Sequence, residues 1–130
     1  MKLELFTLSD FAADYAGKLS IIGIFDTLGA KQAPAIHPQC TVAAKMRFEK
    51  IEEGRKVVKI SIADEDGKPA LPAIECQIQV GIPPGVSSVS INVVLNIERL
   101  KLDRLGEFSI DLALDGRHEG SIPLYVRQIS

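Results

Sequence analysis

The sequence predicts an all-β domain, a two-sheet antiparallel β-sandwich of about seven or eight strands with immunoglobulin-like, Greek-key links. Three observations carry this expectation. From Val89 to Ile97 every odd residue is apolar, while Ser90, Asn92, Asn96 and Glu98 interleave; period two marks a strand with one face in a core. Similar stretches recur between turn signals, and no long segment repeats at the 3.6-residue helical period. Each sheet must bury its apolar face against a second layer, with closure into a barrel as the alternative.

Residues 2–8 alternate weakly and read as a first strand. Ser9 to Gly17 reads as a connection, with Ser9 placed to cap a helical turn. Lys18 to Leu28 is the second strand and the unusual one: Leu19, Ile21, Gly23 and Phe25 fall on one face, Ile22 and Ile24 on the other. Gly29 to Gln39 holds Pro34 and Pro38 and reads as a loop. Cys40 to Phe48 alternates again, Glu52 to Arg55 turns, and Lys56 to Ala63 returns with Val58, Ile60 and Ile62 inward. Asp64-Glu65-Asp66-Gly67-Lys68 is a tight turn, since Asp and Gly tolerate the backbone angles of a reversal. Leu71 to Val80 points Ile74, Cys76, Ile78 and Val80 inward, and the Gly81–Gly85 segment GIPPG is a rigid loop. In the long strand from Val86 the apolar phase slips between Ile97 and Leu100, which predicts a bulge or a crossing between sheets. Phe108, Ile110, Leu112 and Leu114 form the next strand, and Asp115 to Gly120 turns the chain. In the last strand, Ile122, Leu124 and Val126, Pro123 demands an edge or a bulge. The expected core comprises Ile21 or Ile22, Val42, Met46, Phe48, Ile60, Ile62, Ile78, Ile91, Val93, Leu95, Phe108, Ile110, Leu112 and Leu124.

The 130 residues fit one domain, 1–130, long enough to bury a core without metal or disulfide staples. Charge is balanced, 15 basic against 17 acidic residues, with no basic block for a phosphate backbone, so nucleic-acid binding is not expected. Asp10 and Glu4 interrupt the opening apolar run, which lacks the length of an export signal or membrane span. A cytoplasmic protein without a membrane role is expected, and Cys40 and Cys76, both on the apolar phase of their strands, are expected to be reduced and inert.

No motif of catalytic, metal or cofactor chemistry is complete. Asp64, Asp66 and Gly67 open like a calcium loop but lack the later ligands. His37 and His118 have no second ligand at metal spacing, and no GxSxG, HExxH, P-loop or dinucleotide fingerprint occurs. The chain is therefore not expected to be an enzyme, nor to carry a cofactor or metal. With no Trp and only Tyr15 and Tyr125, it offers little of the aromatic platform that binds carbohydrate. Asp10, Asp14, Lys18 and Asp26 flank the second strand as solvated loop residues or as the lining of a site.

The segment Leu8 to Leu28, and within it Gly17-Lys18-Leu19-Ser20-Ile21-Ile22-Gly23-Ile24-Phe25, resembles the opening of an uncharacterised family of short bacterial single-domain proteins. Gly106-Glu107-Phe108, Asp115-Gly116 and Ile122-Pro123-Leu124 are similar to that family's end. The resemblance implies a β-sandwich and no assigned activity.

A non-catalytic interaction or structural module is the expected function, acting through a sheet face, an edge or a loop end. The alternative is a small-ligand or enzymatic site in the loop around residues 10–18. The doubly apolar second strand needs a cover. Either Phe11-Ala12-Ala13 folds back over it, or a second copy docks by two-fold symmetry on a face of Ile22, Ile24, Ala43, Val94 and Ala113; an unidentified protein is a further partner. The strand phases make a first testable statement: Leu112→Ala should lower the unfolding free energy by the ~2–5 kcal/mol of a vacated core site, and the denaturation midpoint with it. Asp111→Ala should shift it far less, and equal shifts would put the phase of this strand wrong.

Overall fold

In the computed structural model, which describes residues 1–129, every regular element except one 3-10 turn at Lys50–Glu52 is a strand. The order is β1 (Lys2–Tyr15), β2 (Lys18–Ile24), β3 (Thr27–Ala30), β4 (Ala35–Glu49), β5 (Gly54–Asp64), β6 (Ile74–Val80), β7 (Ser88–Leu102), β8 (Gly106–Leu114) and β9 (Arg117–Gln128). They form two sheets with strand orders β2-β1-β4-β7 and β3-β9-β8-β5-β6. The second sheet is curled like half a barrel. All pairs are antiparallel except β3 with β9, which is parallel. Nine strands and a parallel pair correct the expectation of seven or eight antiparallel ones. The added strand is β3, which begins inside the segment expected as the second strand; the first strand is also twice its expected length.

The core lies between the sheets and follows the alternation. Val42, Met46 and Phe48 of β4 meet Ile60 and Ile62 of β5, Phe108, Ile110 and Leu112 of β8, and Leu124 of β9, all buried. Val93 is also buried, while Ile78, Ile91 and Leu95 pack against this core from half-buried positions. Ile21 is half-buried and Ile22 exposed, so β2 contributes nothing to the central cluster, while Phe25 and Leu28, further along the expected second strand, pack against it.

The phase slip of β7 has a partner in β4. The two strands keep one register from Ala35↔Leu102 to Glu49↔Ser88, yet no ladder pair joins Pro38 to Arg99. Pro38 has no N–H to give, and Arg99 sits at φ 54°. On one side of that rung Cys40 and Ile97 point inward; on the other, Ala35, Leu100 and Leu102 do. Both strands change phase together, so the slip is a shared kink rather than a two-for-one bulge. Pro38 therefore lies within a strand, not in the loop that its neighbours suggested.

The largest departure is in Ser9–Gly17, expected as a connection, of which Ser9–Tyr15 is strand. β1 pairs with β4 through Ser9, then leaves it and continues with β2 as a two-stranded arm. A two-residue turn closes the arm, with Ala16 at φ 52° and Gly17 at φ 81°, and Asp14 Oδ1 accepts the Gly17 N–H at 2.9 Å. The arm bends back over the outer face of the first sheet. Its tip reaches across β4 to β7, where Asn92 Nδ2 donates to the Gly17 carbonyl at 3.3 Å. Thr41 and Ala43, on that outer face, are fully buried.

Gly23 stands opposite Asp10 where the arm departs; its φ is +73°, and an added Cβ would come within 2.6 Å of Asp10 Oδ2. Gly23→Ala should therefore cost roughly 1–2 kcal/mol in chemical denaturation from the left-handed backbone alone. The loss should exceed that of Gly17→Ala, whose added Cβ meets open space. A neutral Gly23→Ala would refute the tight arm base.

Candidate apolar edge and arm

The arm has two faces. Ala12, Leu19 and Ile21 lie on the face turned toward the sheet, by the pairing Ala12↔Ile21 and Asp14↔Leu19. Phe11, Tyr15 and Ile22 share the opposite face, and Ile24 stands at the arm's base past the unpaired Asp10–Gly23 rung; the four are 49%, 77%, 64% and 63% exposed. Phe11 is the direct cross-strand partner of Ile22, so it widens the apolar face instead of covering it. Of the residues expected to form one self-association face, Ile22 and Ile24 are on this exposed surface. Ala43 is fully buried beneath the arm, and Val94, its ladder partner, is half-buried. Ala113 belongs to β8 of the other sheet. The five do not make one surface. The sequence reading missed Phe11 and Tyr15 because it placed them in a connection.

The exposed face runs into a cleft. A cavity of about 320 Å³ opens between the sheets at the base of the arm, lined by Phe6, Thr7, Leu8, Ile24, Phe25, Asp26, Ile122 and Pro123. It exists because one segment serves both sheets. β2 pairs with β1 only as far as Ser9↔Ile24, then the chain crosses to the second sheet, where β3 pairs with β9 from Tyr125 onward. Phe25 N donates to the Leu8 carbonyl at 3.0 Å and Tyr125 N to the Asp26 carbonyl at 2.7 Å, fixing the crossing. Leu3–Leu8 of β1 and Arg117–Leu124 of β9 are left without a hydrogen-bonded strand partner on this side, although the Leu3 and Phe6 side chains lie against Gly120 of β9.

The other candidates do not assemble a reactive site. Asp14 caps the arm turn, Asp26 Oδ1 accepts the Thr27 hydroxyl at 2.8 Å, and Asp10 lies at Gly23. Asp64 Oδ1 accepts the N–H groups of Asp66 and Lys68, each at 2.9 Å, and Arg104 holds Asp66 at 2.7 Å, which makes a closed turn. His37 stacks at a tilt on Phe25, 5.5 Å between ring centres. Asp111, Ser121 and His118 form a chain on the outer face of the second sheet: Ser121 donates to Asp111 and contacts His118 Nε2 at 3.2 Å. In a nucleophilic triad the histidine bridges serine and carboxylate. Here the serine is the bridge and its proton is held by Asp111, so the order is wrong for activation. Among the described residues no group of three metal-ligating side chains comes together.

Cys40 and Cys76 are free thiols. Burial, and secondarily the negative charge of Asp10, pushes Cys40 from the ordinary 9.0 up to about 11; burial raises Cys76 as well. Native Cys40 thus keeps its proton where an unfolded thiol has lost it. Its contribution to stability is whole below pH 9.0 and declines as pH rises toward about 11. Cys40→Ala should flatten the fall of the denaturation midpoint across that window, and an unchanged slope would show that the thiol is not its cause.

Comparison with known proteins adds fold but no chemistry. No curated protein matches the chain. It is similar to a Pseudomonas fluorescens alkylpurine DNA glycosylase, AlkC, solved bound to DNA containing an abasic site analog. Identity is 10%, coverage is 97% of this chain and 30% of that one, and the TM-score is 0.54. A Listeria innocua beta-glucosidase solved in complex with isofagomine matches at 10% identity over 95% of this chain and 16% of that one, TM-score 0.49. The chain spans less than a third of either protein, and the likeness to the glycosylase, at 10% identity, concerns the fold alone. A family profile matches residues 4–127, nearly the whole chain, and the protein belongs to that family, the family of unknown function DUF6941.

Proposed function

We propose that the protein is a non-catalytic interaction module that docks on a protein partner through the exposed arm face and the cleft at its base. The observation that carries this is the contiguity of Phe11, Ile22 and Ile24 with the cavity that Ile24 also lines. Leaving such side chains in water forgoes ~1.5–3 kcal/mol each, and a joined apolar surface of this kind is what docking buries. We read the architecture as a Greek-key, immunoglobulin-like sandwich, on the strength of its links: β4 to β5, β6 to β7 and β7 to β8 each pass from one sheet to the other. The two free thiols accord with a cytoplasmic setting.

A second reading, a small ligand held under the arm, has one observation in its favour. A cavity of about 320 Å³ there is lined by Leu5, Leu19, Ile21, Lys18, Lys45 and Asn92. Asn92 Oδ1 is buried with no hydrogen-bond partner among the described residues.

Co-purification from the source cell tests the first reading against an Ile22→Glu, Ile24→Glu double variant. Both positions are exposed, so the variant should keep the wild-type melting temperature and lose the proteins that the wild type retains. Retention of the same proteins by the folded variant would overturn the reading.

A further inference from the structure

The interaction reading leaves the partner's form open; resting on that reading, the geometry points to an extended peptide segment that adds as a strand along Leu5–Leu8 of β1. Half of the outer edge of β1 is used and half is not: β2 pairs with residues Ser9–Tyr15 only. Backbone groups alternate in direction along an antiparallel strand. The Leu8 carbonyl points to the free side, since it accepts Phe25 N–H at 3.0 Å. By that alternation the Leu8 N–H and both backbone groups of Phe6 point the same way. A bulge between Leu3 and Leu5 ends the regular stretch, so four residues are available.

The facing edge of β9 is closed to the same use. Tyr125 N–H points outward to Asp26, so position 123 has the same direction, and Pro123 has no N–H to offer. The open edge is therefore on β1, and the cavity of about 320 Å³ lies beside it. In strand addition, main-chain bonds supply affinity and pockets for alternate side chains supply selectivity. Phe6, Leu8, Ile24, Phe25 and Ile122 make such a pocket for apolar side chains.

The occupant is a single segment for two reasons. The crossing at Phe25–Asp26 walls one end of the edge and the arm stands beyond it. The crossing closes this edge at Leu8 and the bulge closes it before Leu5, so its four residues suit one short segment rather than the longer edge of a folded neighbour. Asp26 stands at the walled end with no cationic partner among the described residues. A strand continuing the line of β2 runs antiparallel to β1 and begins at Asp26. Its first residue is then Lys or Arg, followed by apolar residues at alternate positions.

The test is selection of peptides from a random heptapeptide display library on the immobilised full chain, then calorimetry and amide hydrogen exchange with an enriched peptide. Enriched peptides should carry the leading cation and the alternation, and should protect the Phe6 and Leu8 amides. Ile24→Asp should weaken binding by at least about tenfold at unchanged melting temperature, and Asp26→Lys should remove the preference for the cation. Failure to enrich any peptide overturns strand addition. Protection at Phe11 and Ile22 in place of Phe6 and Leu8 overturns it too, while leaving the interaction reading intact. So does a peptide-free chain that scatters light as a dimer with those two amides already protected, because a second copy then holds the edge.

Discussion

Everything distinctive in this fold follows from one segment pairing with both sheets. Ile24 ends its pairing with β1, and three residues later Thr27 begins pairing with β9. Two backbone bonds, Phe25 to Leu8 and Asp26 to Tyr125, hold the crossing between them. A strand that serves two sheets cannot run the full length of either. The first sheet therefore has β1 covered at its C-terminal half and bare at its N-terminal half, and the second has β9 covered at its end and bare at its beginning. The cleft, the bare edge and the arm are consequences of where that crossing falls.

The arm answers the chemistry of its own sequence only in part. A strand with apolar residues on both faces has to bury at least one, and the Leu19–Ile21 side turns to the sheet. The surface it meets is mixed: Asn92 Oδ1 is buried there without a hydrogen-bond partner among the described residues, and a cavity remains. Unsatisfied buried acceptors cost free energy, ~1–3 kcal/mol each. The arm is thus held by fewer favourable contacts than the central strands, which local opening follows. Phe11, Ile22 and Ile24 are carried on this arm.

How much of this could be read in the sequence varies by region, for physical reasons. In β5, β8 and the later half of β4 one face is core and the other solvent, so period two was plain and Ile60, Ile62, Ile110 and Leu112 were placed correctly. The slip after Ile97 was visible because the core phase itself changed. The segment Ser9–Tyr15 was not legible. Its Ser, Asp and Ala residues have turn-like composition, and an arm with one exposed face has no need of a regular apolar phase. Pro38 misled in the same way, since a proline fits within a strand on a rung whose partner, Arg99, leaves the ladder. The bare edge had no sequence signal. It is defined by where β2 stops pairing, a relation between residues far apart in the chain.

The remaining strand edges show how unusual that stretch is. Exposed edges invite pairing with other chains, and proteins blunt them by shortness, proline, charge or a break in the strand. β3 is only four residues long. β6 spans seven residues, carries Glu75, and is bracketed by Pro72 and Pro83. β7 is long, but Arg99 at φ 54° breaks its backbone, and polar Asn92 and Asn96 stand along it. β9 has Pro123. Between Leu5 and Leu8 none of these devices occurs: the residues are Leu, Phe, Thr and Leu, in extended backbone, beside an apolar cleft. β2, the other edge of the first sheet, carries Lys18 and a left-handed Gly23 but still leaves Ile22 and Ile24 exposed, so what sets Leu5–Leu8 apart is the apolar cleft beside it.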